Sequence, residues 1–142
     1  MKINNNYRYV NLSVSIIYIS ICLLFTRCSK PSTADPIGTI TTTISNRGTV
    51  IVDANSSPSA YIGYTDTTGV YNFFAGNGVI TSVGSIADLA ALTTKPSTGY
   101  TNAAKAVTGN GYVIVFQSGS YCRIYCVNMS GTTATIKYQY PY

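Results

Sequence analysis

From Thr39 onward the chain is a series of short alternating stretches separated by turn formers. Ile40, Thr42 and Ile44 fall on every second position with threonines between them, the period of a strand that has one covered face. Asn46-Arg47-Gly48 supplies a turn and Val50-Ile51-Val52 a second strand, which predicts a hairpin. Tyr61 to Thr65 and Val70 to Phe74 flank Asp66-Thr67-Thr68-Gly69, and Gly76-Asn77-Gly78 precedes Val79 to Val83. Five short strands are therefore expected before residue 84. The alternation then lapses. Ser85-Ile86-Ala87-Asp88 places an acid three residues after a serine, a variant of the capping box, ahead of Leu89-Ala90-Ala91-Leu92, and this predicts one short helix near residues 85–92 that ends before Lys95-Pro96-Ser97-Thr98-Gly99.

Gly109-Asn110-Gly111 is a turn leading into the strongest β pattern, a three-stranded meander over residues 112–140 made of YVIVFQ, SYCRIYCVN and TTATIKYQY. With Ser118-Gly119 as a two-residue hairpin loop, Gln117 pairs with Ser120, Tyr112 faces Tyr125, Ile114 faces Arg123 and Phe116 faces Tyr121. One side of the hairpin is then aromatic with Arg123 in its middle. Val113, Val115, Cys122, Ile124 and Cys126 line the other side as aliphatic core. In the last strand Ala134, Ile136, Tyr138 and Tyr140 alternate with Thr133, Thr135, Lys137 and Gln139.

The N-terminus follows a different rule. Residues 1–11 carry Lys2 and Arg8 with no acid, and LSVSIIYISICLLF over residues 12–25 is an apolar run too short to span a bilayer comfortably as a permanent helix. The run stops at Thr26-Arg27-Cys28, and SKPSTADPIG follows, polar and opposed to regular structure at Pro31 and Pro36. This resembles a lipoprotein signal and tether of the Bacteroidota kind, in which the cysteine becomes the acylated first residue. The resemblance implies a signal peptide over 1–27, lipidation at Cys28 with a flexible tether over 28–38, and a single β domain over 39–142. The position before the cysteine is small in that pattern and is Arg27 here. Cys22, after Ile19-Ser20-Ile21, is the rival site, and an uncleaved N-terminal anchor is the other alternative. All three place the domain outside the cytoplasm.

Composition narrows the class. Charged residues are 9% of the chain and hydrophobic residues 46%, which excludes a disordered chain. Thirteen tyrosines, twelve glycines and no tryptophan favour β structure punctuated by turns. The formal charge of +5 includes Lys2, Arg8 and Arg27 of the leader, and the remaining Lys30, Arg47, Lys95, Lys105, Arg123 and Lys137 are scattered singly. No basic stripe for nucleic acid results.

The stretch GSIADLAALTTKPSTGYTNAAKAVTGNGYVIVFQSGSYCRIYCV, closing on TATIKYQYPY, resembles a domain of unknown function found in small Bacteroidota lipoproteins. The likeness is carried by the Lys-Pro-Ser-Thr-Gly-aromatic turn, Gly-Asn-Gly-Tyr-Val and Tyr-x-Arg-Ile-Tyr, and covers the last 60 residues most strongly. It implies a mainly β fold and a place in the cell envelope, and it implies no activity.

The available chemistry is sparse. With no histidine and no glutamate, Ser-His-Asp and Cys-His arrangements, histidine zinc sites and paired-glutamate acid/base sites are impossible in this chain. Of the four aspartates, Asp35 lies in the tether, Asp88 fits a helix N-terminus and Asp66 a turn, which leaves Asp53 at the end of a strand. Cys122 and Cys126 lie about 13 Å apart in an extended strand, too far for a bridge between them. Two small buried residues flanking Ile124 is the plain reading; the alternatives are a metal site, which lacks further ligands, and pairing with another chain. Tyr112, Tyr121, Arg123 and Tyr125 form the candidate binding face, since rings around a guanidinium can hold a sugar or a peptide aromatic. The competing reading is packing, with the arginine stem laid on rings.

The expectation is thus a mainly antiparallel β domain, a two-layer sandwich or partly open barrel, without enzymatic activity, cofactor or metal. Its partners are the membrane, through the lipid, and another envelope protein or a glycan, with no nucleic acid. The outer membrane is favoured over the inner one, while SKPSTADP lacks the acidic run that often accompanies surface export. Two roles follow: a structural or protein-interaction module, or a glycan-binding module using exposed tyrosines.

Overall fold

The computed structural model describes residues 34–55 and 59–142. The expected signal segment over 1–27, Cys28 and residues 29–33 of the expected tether lie outside the described residues. Nine strands are present among the described residues: β1 (Ile40–Ser45), β2 (Gly48–Asp53), β3 (Ala60–Thr67), β4 (Val70–Gly76), β5 (Gly78–Ser85), β6 (Ala103–Lys105), β7 (Asn110–Phe116), β8 (Tyr121–Ser130) and β9 (Thr133–Gln139). They form two antiparallel sheets packed as a sandwich, ordered β1-β9-β8-β7-β5 and β2-β3-β4-β6, with no closed barrel. No helix among the described residues is long and apolar enough to cross a membrane.

Every stretch expected to be a strand is one, but two pairings differ from the expectation. Asn46-Arg47 does make a tight turn, with Arg47 at φ 65°. The strands it joins nevertheless belong to different sheets, β1 pairing with β9 from Ile40 opposite Tyr138 to Ser45 opposite Thr133, and β2 pairing with β3. An isolated two-stranded hairpin covers neither of its faces. Dividing the pair sends Ile44 into the core from one sheet and Val50 and Val52 from the other. The chain passes between sheets again at Asn77, which sits at φ 59° between β4 and β5.

The second difference is one residue of register. The β7–β8 loop has three residues, 117–119, closed by the Phe116 amide donating to the Ser120 carbonyl (2.9 Å), with Gly119 at φ 81°. That is the three-residue hairpin solution, which needs a left-handed residue at its end. Tyr112 therefore faces Ile124, Ile114 faces Cys122 and Val115 faces Tyr121. A slip of one position exchanges the two faces of a strand. Tyr112 and Phe116 join Ile114, Cys122, Ile124 and Cys126 in the core, while Val113 and Val115 turn outward with Tyr121, Arg123 and Tyr125.

The core between the sheets is built from Ile44, Ile62, Tyr64, Phe73, Ile80, Tyr112, Ile114, Phe116, Ile124, Ile136 and Tyr138, with Cys122 and Cys126 among them. Tyr64 lies stacked on Tyr71 with centroids 5.2 Å apart, and Phe73 meets Tyr112 edge-on at 5.2 Å. The expected helix is reduced to one 3-10 turn, Leu89–Ala91, whose N-cap is Asp88 and not Ser85; the Asp88 carboxylate accepts the Ala91 amide at 2.9 Å. Four helix formers followed by Thr93-Thr94 and Pro96 are too few to propagate a helix. Strand β6 carries no β-forming residue. It is held by position, because the buried Tyr112 hydroxyl donates to the Lys105 carbonyl and accepts from the Val107 amide, both at 2.9 Å.

Candidate functional site

The outer face of the five-stranded sheet carries a row of side chains set by register: Thr81 on β5, Val113 on β7, Arg123 on β8 and Gln139 on β9. The segment after β5 folds back over this row. Leu89 and Leu92 are buried there, and at Gly111 an added Cβ would lie 2.4 Å from Ile86 and 3.0 Å from Leu92. A small second core therefore lies outside the sandwich, and it accounts for a fully buried Val113 on an outward face.

Arg123 is the centre of this arrangement. It is only 8% exposed and donates through Nε to Gln139 Oε1 at 2.8 Å and through one terminal nitrogen to the carbonyls of Leu89 and Leu92. Its guanidinium carbon lies 4.5 Å from the centroid of the Tyr142 ring. Carbonyl oxygens and a ring face solvate the charge, and no described carboxylate lies within ion-pair distance of it. The planar fork suits this task, because several fixed acceptors are met at once. Tyr142 closes the cluster from the other side: its hydroxyl donates to the same Leu92 carbonyl at 3.1 Å and its amide to the Tyr121 carbonyl at 2.9 Å. Lys95 spans the Tyr121 and Tyr142 rings at 4.2 and 5.2 Å. Burial, followed by the proximity of Tyr121 and Tyr142, raises the Tyr100 hydroxyl above its usual range, and that hydroxyl donates to the Pro96 carbonyl at 3.0 Å.

Of the expected face, Tyr121, Arg123 and Tyr125 do share one side of β8, and Tyr112 does not. Tyr112 is fully buried on the opposite side, where burial raises its hydroxyl to about 12 despite the Val107 amide. Tyr125 is half-buried opposite Lys137 and Gly111. Lys137 in turn pairs with Asp35, and Gln139 donates to the Ile37 carbonyl at 2.8 Å, so residues 35–37 run along the edge of this face.

Between the folded-back segment and β5 is a cleft of about 570 Å³ lined by Thr81, Ser82, Val83, Ile86, Leu92, Thr94, Pro96, Thr98 and Gly99, among others, with no charged side chain. The far wall is the part that Arg123 and Tyr142 hold through Leu92.

The four-stranded sheet has an outer feature that the sequence reading missed. Tyr61 lies across Gly76 and Phe74 across Gly63, so closely that a Cβ at either glycine would fall within about 2 Å of ring atoms. The rings meet edge-on, 6.2 Å apart at 90°, beside Ile51, which is 58% exposed. The signal was available: each strand carries an aromatic and a glycine two residues apart, and the pairings Tyr61–Gly76 and Gly63–Phe74 bring ring over glycine.

The aspartates are dispersed. Asp53 accepts from the Tyr140 hydroxyl and the Asn55 amide, both at 2.9 Å. Asp53 faces Ala60, and Asp66 lies six residues further along β3, about 20 Å away at strand rise. Two such carboxyls cannot flank one glycosidic bond. Cys122 and Cys126 are free and fully buried, and burial raises both thiols, Cys126 to about 11. Among the described residues no three His, Cys, Asp or Glu side chains gather to hold a metal. No protein-family model, curated protein or solved structure matches the chain.

Proposed function

We propose that this chain is an exported cell-envelope protein, anchored by a lipid on Cys28, whose β-sandwich serves as a non-catalytic structural or protein-interaction module. One observation carries the choice between interaction module and glycan binder, namely the way the tyrosines are used. All ten described tyrosines are buried or half-buried. Most stack in the core, as Tyr64 does on Tyr71, or spend their hydroxyls within the domain, as Tyr100, Tyr112, Tyr140 and Tyr142 do, while Tyr61, Tyr121 and Tyr125 lie half-buried on outer faces. A sugar platform needs coplanar exposed rings, whereas Tyr61 and Phe74 stand at right angles. The anchor rests on the apolar run, Cys28 and the polar tether that follows it.

The test is photo-crosslinking in cells that make the full chain, with a photoreactive phenylalanine at Phe74 or at Thr98. A discrete adduct of protein mass, removed by protease, is the expected result. Specific retention on a glycan array that Tyr61→Ala abolishes, with no protein adduct at either position, would replace the interaction role by glycan recognition.

A further inference from the structure

The interaction role needs a place where a partner docks, and the edge of β5 provides one. Ile80 exchanges both backbone hydrogen bonds with Thr101, at 2.8 and 2.9 Å, on the side of β5 that faces away from β7. Bonding direction alternates along an antiparallel strand, so the Ser82 amide points to that same outer side. The residue that would continue the bridge opposite Ser82 is Gly99. The pairing stops there: Gly99 has φ 86°, lines the cleft, and sits against the Thr81 side chain, where an added Cβ would lie 3.3 Å from the hydroxyl. Ser82 thus presents its amide to a cleft of about 570 Å³, and no described residue accepts from it. Thr81 adds a second unused group. It is 6% exposed, it lines the cleft, and its hydroxyl makes no hydrogen bond to any described residue.

We propose that this cleft is a strand-addition site, in which a short, uncharged, extended peptide segment of a partner protein pairs with β5 at Ser82; the proposal rests on the interaction-module role. Backbone pairing supplies the attachment and the walls select the side chains. The walls carry hydroxyls from Thr81, Ser82, Thr93, Thr94 and Thr98 and apolar surface from Val83, Ile86, Leu92 and Pro96. With no charge to pair with, a lysine or glutamate in the segment would lose water without compensation. Small, β-branched or hydroxyl-bearing residues fit. Arg123 and Tyr142 are positioning residues, since both fix the Leu92 carbonyl behind the wall.

The experiment is an amide NMR titration of the ¹⁵N-labelled full chain in detergent micelles with a capped threonine–valine–threonine–valine–threonine peptide, and with versions carrying lysine or glutamate at the centre. Shifts should concentrate at Ser82, Val83, Thr94 and Thr98, and the charged peptides should bind at least roughly tenfold more weakly, as uncompensated desolvation requires. Ser82→Pro removes the amide from a position that is not used in the ladder, and Thr98→Arg places a charge in the cleft wall. Each should lose binding of the neutral peptide while melting as the parent does. Absence of shifts at Ser82 and Val83, or undiminished binding by a folded Thr98→Arg variant, would overturn the proposal. Shifts confined to Ile51, Tyr61 and Phe74 would overturn the cleft site while leaving the interaction role standing.

Discussion

Two buried tyrosines show how a hydroxyl's partners decide its worth. The Tyr112 hydroxyl has a donor and an acceptor partner on the 105–107 segment, whereas the equally buried Tyr64 hydroxyl has no partner among the described residues. Leaving a buried polar group unpaired costs about 1–3 kcal/mol, and breaking a made bond inside the protein costs about as much. Tyr64→Phe should therefore melt at or above the parent temperature, and Tyr112→Phe should lose about 1–3 kcal/mol in chemical denaturation. Burial also sets the pH response. Tyr64 and Tyr112 rise from 10.0 to about 12, chiefly by desolvation, and Cys126 from 9.0 to about 11. Above the unfolded values the unfolded chain has released protons that the folded one still holds, so stability falls as pH rises. The loss should begin near pH 9 with the thiols and steepen from 10 to 12 with the tyrosines, measurable as a falling melting temperature. A flat profile across that window would mean these groups are solvated in the folded state.

At the scale of elements, strand positions were legible in the sequence and their partners were not. Alternation and turn residues located β1 to β5 and the β7–β8–β9 meander, because period two and glycine or asparagine punctuation are local properties. Whether Gln117 belongs to the strand or to the loop is decided by one left-handed residue, and Gln117-Ser118-Gly119 reads equally well as two loop residues or three. That ambiguity alone carried Tyr112 to the wrong face and made core of Val113 and Val115. The placement of Arg123 between Tyr121 and Tyr125 survived the slip, because the three share a face in either register. What it touches was not legible: Leu89 and Leu92 lie more than thirty positions away, and only the fold brings them together. Strand β6 was invisible for the same reason.

The register has a direct consequence for mutants. Tyr112→Ala should cost about 3–5 kcal/mol as a core truncation, and half-buried Tyr125→Ala markedly less, about 1 kcal/mol. The reverse order in thermal melts would restore the two-residue loop. The Arg123 contacts to Leu89 and Leu92 predict a local effect. Arg123→Lys leaves a point charge that cannot reach Gln139 and two carbonyls together. Amide exchange should accelerate at Ala91 to Thr94 while β8 stays protected. Equal acceleration in β8 would mean that Arg123 holds the sheet and not the folded-back segment.

As a whole, the molecule divides its two faces differently. The four-stranded sheet presents Tyr61 and Phe74 pressed onto glycines, whereas the five-stranded sheet is roofed by its own chain and leaves a neutral cleft beside β5. Residues 35–37 meet Lys137 and Gln139 of β9 on the roofed face. The proposed lipid anchor would hold the domain through this N-terminal end. That arrangement depends on Cys28. Intact-mass analysis of the membrane fraction from cells making the full chain, alongside Cys28→Ala, tests it most directly. The expected species begins at Cys28 and carries acyl mass, and the Cys28→Ala chain carries none and is lost from the membrane fraction once its leader is removed. A membrane-bound chain that begins at Cys22 or retains Met1, or a processed Cys28→Ala chain that stays with the membrane, would contradict anchoring through Cys28.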